Sequence, residues 1–148
     1  MKQVLFLCSG NYYRSRFCEI YFNWLAEQRE LWWRAESRGL RLNPKNIGSI
    51  SGHTVARLSH HGIPTNACQR LPMVVSHQDF DSADHIVAVK EAEHRPLIQG
   101  HFSSWLDRVE FWEVHDVDYA APDEAMPQLE REVIGLMERL ALGERKAS

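Results

Sequence analysis

Apolar and polar positions along this chain switch repeatedly between two periods. Val4-Leu5-Phe6-Leu7 is a short unbroken apolar run, the pattern of a strand buried on both faces of a parallel sheet. Cys8 ends the run. Ser9, Gly10 and Asn11 follow, residue types that turn a chain tightly and accept unusual backbone angles. From Ser15 the period becomes helical: Phe17, Ile20, Tyr21, Trp24 and Leu25 share one face, which predicts a helix to about Glu30 with Ser15 as its N-cap. Trp32 to Ser37 reads as a second strand closed by Gly39, with one of the Trp32–Trp33 rings left exposed. Residues 40–51, with Pro44 and Gly48, read as a long loop. His53 to His61 reads as a short helix ended by Gly62. His85 to Val89 is a third strand, Lys90 to Gln99 a helix, and Val109 to Val114 a fourth strand. The last helix spans Pro122 to Leu142, with Leu129, Val133, Leu136, Met137 and Leu140 on one face.

Strand and helix thus alternate along the whole chain. Such alternation predicts an α/β fold in three layers, a four-stranded parallel sheet with helices on both faces joined by right-handed crossovers. Ligands of such sheets bind outside the carboxyl ends of the strands, at a switch point. Cys8 lies at one such end, and the segment after Trp112 lies at another.

Length and composition narrow the picture. The 148 residues predict a single domain, 1–148, with 44% hydrophobic and 25% charged residues, as in a soluble globular protein. A net charge of -3 offers no footprint for nucleic acid or for an anionic membrane, and no apolar run approaches membrane-spanning length. The eight histidines show no metal-ligand spacing, so no metal or cofactor is expected. Three cysteines, Cys8, Cys18 and Cys68, fit no disulfide framework and suit a reducing cytoplasm. Cys18 reads as a core residue and Cys68 as a free thiol in a polar loop.

The strand–loop–helix unit has a chemical use. Backbone N–H groups of the loop and of the first helical turn form a concave set of donors that suits a phosphate-like anion. Arg14 adds a planar grip on two oxygens of that anion. Cys8, at the base of the bowl, is placed as a thiolate nucleophile beneath the phosphoryl group. Ser15 is positioned to donate to the thiolate, Asn11 to brace the loop through its amide, and Gly10 to let the backbone come close. Ser9 and Tyr12 should line the rim, with Tyr12 able to stack on an aryl phosphate.

Cys8, five intervening residues, Arg14 and Ser15 match the Cys-x5-Arg-Ser signature of protein tyrosine phosphatases. With Gly10-Asn11 inside the loop and the first strand directly before it, the chain resembles the low-molecular-weight protein tyrosine phosphatase family. The resemblance implies a phosphomonoester hydrolase that passes through a cysteinyl-phosphate and acts on a phosphorylated protein or a small aryl phosphate, without a metal. It also implies a general acid after the fourth strand. Counting from Trp112, Asp116 falls on the family's aspartate, and Asp118 competes with it two residues on. Tyr119 resembles the aromatic wall that follows. Three positions depart from the family pattern: Val117 replaces its proline, Tyr13 stands where many members carry a second cysteine, and Arg16 replaces a proline. Arg16 is expected to add positive charge near the bowl. Two other readings share the loop. One is an arsenate reductase-like thiol redox enzyme, which needs relay cysteines. The other is a phosphate-binding module without turnover.

Overall fold

In the computed structural model, which describes residues 1–116 and 120–147 and side chains as far as residue 144, the elements follow in the expected order. They are strand β1 (Lys2–Cys8), helix α1 (Arg14–Gln28), strand β2 (Trp33–Gly39), helices α2 (Gly52–His60) and α3 (His77–Ser82), strand β3 (His85–Ala88), helix α4 (Glu91–His101), a 3-10 turn (Ser103–Arg108), strand β4 (Val109–Phe111) and helix α5 (Pro122–Ala147). The sheet has the order β2-β1-β3-β4, and every pairing is parallel.

The pleat of β1 explains its unbroken apolar run. Val4, Phe6 and Cys8 join one core with Phe17 and Phe22 of α1 and Leu129, Val133 and Met137 of α5. Leu5 and Leu7 point the other way, into a second core with Phe80 of α3 and Ile98 of α4. A central strand covered on both sides has no polar face to spare. Trp33 is buried and Trp32 is exposed, as a two-faced strand requires.

Several boundaries differ from the sequence reading, each for a local reason. Helix α1 begins at Arg14, with Tyr13 at the N-cap position and no side-chain cap. Ser15 is therefore inside the helix rather than capping it, because its hydroxyl is engaged by Cys8 and Asn11. Strand β4 stops at Phe111, short of Val114. The Trp112 N–H still donates to the Ala88 carbonyl (2.9 Å) and the Val114 N–H to the Val89 carbonyl (2.8 Å), so the chain stays beside the end of β3 and carries Asp116 to the site. Helix α3 was not expected. It is one short turn held by a capping box between Ser76 and Asp79.

β1 and β2 stay in register to their ends, where Cys8 faces Gly39. Gly39 has no room for a side chain: a Cβ there would lie 2.7 Å from the Ser9 carbonyl oxygen and 2.6 Å from Leu42. Because Ser9 offers backbone rather than a movable side chain, Gly39→Ala is expected to displace the loop. It should cost roughly 1–3 kcal/mol in urea unfolding, the usual range for overpacking.

Candidate active site

The residues from Cys8 to Ser15 form a tight bowl between β1 and α1. Its curvature depends on Asn11, whose φ of +50° lies in the left-handed region that asparagine tolerates better than most residues. The Asn11 side chain is fully buried and its amide is saturated. Nδ2 donates to Ser15 Oγ (2.9 Å) and Ser37 Oγ (2.9 Å). Oδ1 accepts from Arg70 Nη1 (2.9 Å) and from the Met73 N–H (3.0 Å). Cys8 Sγ lies 2.9 Å from Ser15 Oγ. Since Asn11 already donates to that oxygen, the Ser15 hydroxyl hydrogen is free to turn toward the sulfur. No side chain caps the N–H groups at the start of α1.

Arg14 is almost wholly buried, and its donors can be accounted for in turn. Glu93 takes a hydrogen from each terminal nitrogen, Oε2 from Nη1 (3.1 Å) and Oε1 from Nη2 (2.9 Å). The Val114 carbonyl takes the second Nη1 hydrogen (3.0 Å). The Nε hydrogen and the second Nη2 hydrogen have no hydrogen-bond acceptor among the described residues. They share one edge of the guanidinium, a planar fork suited to two phosphate oxygens. Asp116 Oδ2 stands 3.6 Å from Nη2.

Glu93 is itself held in place. The Lys90 N–H donates to His94 Nδ1 (3.1 Å), so the imidazole proton sits on Nε2. Nε2 reaches Ser9 Oγ (3.2 Å), and Ser9 passes its own hydrogen to Glu93 Oε1 (2.5 Å). A directed chain of hydrogen bonds therefore runs from the start of α4 to the guanidinium. Burial pushes the Glu93 carboxyl pKa up, but the hydrogen bonds from His94, Arg14 and Ser9 outweigh it and hold the group well below the usual carboxylate range. Burial pushes the His94 pKa down and keeps the ring neutral, the form the chain requires. Sequence reasoning missed both residues. Their signal is the turn after β3, which sits beside the end of β1 only once the strand order is known.

The cleft above the bowl has a volume of about 310 Å³. Cys8, Ser9, Gly10, Tyr12, Tyr13, Arg14 and Asp116 line it, so most of the residues singled out in the sequence come together there. Tyr12 Oη donates to the Ile47 carbonyl (2.7 Å), which fixes its ring at the rim. Burial, with the nearby Asp116 charge, pushes the Tyr13 phenol up to about 12. Asp118 and Tyr119 lie outside the described residues. Arg16 does not contribute to the bowl. It is buried, bonded to Glu19 Oε1 (3.0 Å) and to the Cys68 carbonyl, because α1 turns it away into a polar seam beneath the loop. Cys18 is a fully buried free thiol, and Cys68 is a half-buried one packed against the core rather than a surface group.

A cysteine-bearing bowl at the switch point of a parallel sheet defines a class of phosphate-handling α/β proteins, and the comparisons narrow the class. The model of the family described as low molecular weight phosphotyrosine protein phosphatase matches residues 3–146, and the chain belongs to that family. Its members are phosphatases, hydrolases of phosphoric monoesters. A protein-arginine-phosphatase of Bacillus subtilis is 27% identical over 106 residues, 72% of this chain and 67% of that protein. The crystal structure of YfkJ from Bacillus subtilis superposes with a TM-score of 0.83 at 25% identity, covering 97% of this chain and 96% of that one. A low molecular weight protein tyrosine phosphatase from T. tengcongensis gives a TM-score of 0.80 at 20% identity, covering 94% and 99%.

The chain of bonds to Arg14 has a measurable consequence. Glu93→Gln keeps the shape but loses one anionic acceptor. It is expected to lower kcat/KM for an aryl phosphate by roughly tenfold or more, since a hydrogen bond to a charged group is worth about 1.5–3 kcal/mol. His94 has a lowered pKa in the fold. As pH falls below about 6.5 the unfolded chain takes up a proton that the folded chain refuses, so His94 costs stability on the acid side of that value. Urea unfolding from pH 7.5 down to 5 should show this decline, and His94→Gln should flatten it.

Proposed function

We propose that this protein removes the phosphoryl group from phosphotyrosine in protein substrates, with Cys8 as nucleophile. The observation that carries the reading is the grouping of Cys8 Sγ, Ser15 Oγ and the guanidinium edge of Arg14 around one hollow at the start of α1. The phosphoryl oxygens are received by the loop N–H groups and by Arg14. The Cys8 thiolate forms an S–P bond as the bond to the tyrosyl oxygen breaks, and Asp116 gives that oxygen its proton. Asp116 then takes a proton from water as the water attacks phosphorus, releasing inorganic phosphate and the thiolate. Ser15 stabilises the thiolate on departure. Asp116, 3.6 Å from Arg14, stands at the edge of the same fork, which favours it as the acid.

Phosphoarginine is the second reading, because the Bacillus relative is a protein-arginine-phosphatase. A phosphoarginine brings its own delocalised cation into the cleft and needs carboxylates around it. Among the described lining residues Asp116 is the sole carboxylate, whereas Arg41 is a further cation, and Tyr12 and Tyr13 offer rings for an aryl group. A thiol-relay reading is less favoured: Cys18 is wholly buried, Cys68 is half-buried, and burial raises the thiol pKa of both. A thiolate nucleophile and three free cysteines suit a reducing compartment such as the cytoplasm. No helix among the described residues is long and apolar enough to cross a membrane.

Released phosphate should be greater from a phosphotyrosine peptide than from a phosphoarginine peptide of the same flanking sequence; the opposite order selects the second reading. Cys8→Ser should abolish turnover yet still bind phosphate or vanadate, and substantial turnover in that variant removes the mechanism. Arg14→Lys should damage binding and rate together, since a point charge cannot form the fork. Asp116→Asn should slow phosphotyrosine hydrolysis by about 10²-fold or more and p-nitrophenyl phosphate hydrolysis less, because the better leaving group needs less protonation.

A further inference from the structure

The charges of the cleft do not cancel evenly. Arg14 is matched by Glu93 and faces Asp116. Arg41, in the loop after β2, has no ion pair or side-chain hydrogen bond among the described residues, and it is exposed on the cleft lining. Its backbone is nonetheless fixed to the bowl. The Leu40 N–H donates to the Cys8 carbonyl (2.9 Å), and the Arg41 N–H donates to the Ser9 carbonyl (2.9 Å). Asn43, Asn46 and His53 continue the same wall with polar side chains. Residues 41–53, which supply this wall, contain Arg41, Lys45 and His53 and no aspartate or glutamate.

We propose that this wall is a second anion subsite, with Arg41 as its centre, selecting phosphoprotein segments that carry an acidic side chain beside the phosphorylated residue. The inference rests on the phosphoprotein reading above and adds a preference to it. A phosphorylated residue seated on Cys8 leaves its neighbours at the rim. There a glutamate or aspartate meets an unpaired guanidinium and two amides, and a lysine meets like charge. The cation that the sequence suggested at Arg16 is thus supplied from the loop after β2 instead. An exposed pair of this kind is worth about a two- to fivefold preference, and salt screens it.

The test compares two phosphotyrosine peptides that differ in one residue next to the phosphotyrosine, glutamate in one and lysine in the other. The readout is the ratio of their kcat/KM values, with the ratio of their affinities for the Cys8→Ser protein as a turnover-free check. Wild type should favour the glutamate peptide by about two- to fivefold, less at 1 M salt. Arg41→Glu should reverse the ratio, and Arg41→Lys should retain part of it. A general loss of folding or rate would move both peptides together and leave the ratio alone. A wild-type ratio near one, or a ratio that Arg41→Glu leaves unchanged, overturns the subsite. Failure of the underlying reading shows differently, as absence of p-nitrophenyl phosphate hydrolysis by wild type and of phosphopeptide binding by Cys8→Ser.

Discussion

The buried amide of Asn11 is the constraint on which the site depends. Its backbone is in the left-handed region, a conformation that costs most residues about 1 kcal/mol or more and persists only where the surroundings determine it. The surroundings here are four hydrogen bonds that use every donor and acceptor of one carboxamide. They reach α1, β2, and the segment that leads to α3. The bowl is therefore tied to three separate pieces of chain, and its backbone is held in shape before any anion arrives. Such prior orientation is what makes electrostatic stabilisation effective, since nothing need reorganise as charge develops.

Beneath Asn11 lies a polar seam that the hydrophobic pattern does not announce. Glu19 Oε1 accepts from Arg16, Arg70 and the Ser37 hydroxyl. Arg70 also donates to the Ser37 carbonyl, 2.8 Å away. Burying these charges carries a desolvation cost, which their mutual hydrogen bonds offset. The seam and the Ser9–Glu93–Arg14 chain grip different residues of the loop. The seam holds the middle of the loop through Asn11, and the chain holds its two ends through Ser9 and Arg14.

Much of this was legible in the sequence, and the reasons for the rest are specific. Val4 to Leu7 showed a doubly buried strand because only such a strand forgoes alternation. Cys8, Arg14 and Ser15 were legible because strand, loop and helix bring them together locally, without any long-range pairing. Glu93 and His94 were not, because the first turn of α4 looks like an ordinary solvated face. It meets the bowl only through the neighbour relation of β1 and β3, which a single sequence does not fix. Arg16 was misplaced because an arginine next to a catalytic-looking motif suggests an exposed cation, while the helix phase sends it inward to Glu19. Helix α3 escaped because one turn carries no period, and its capping box was its sole signature.

The electrostatics of Arg14 then follow from what surrounds it. Glu93 cancels most of its charge, so the guanidinium is a poor attractor at long range. What it keeps is direction: two hydrogens on one edge, in a plane fixed by Glu93 and the Val114 carbonyl. Attraction of a dianionic phosphoryl group must come from the loop N–H groups, which carry partial charge without a counter-ion. A site built this way gives up net positive potential at its base and gains rigidity. Long-range attraction is left to groups at the rim, where solvent moderates their strength and no neighbour cancels their sign. In this chain the wall from Arg41 to His53 is such a rim: its backbone is held to the bowl by the Leu40 and Arg41 N–H groups, so the selection proposed above rests on its side chains.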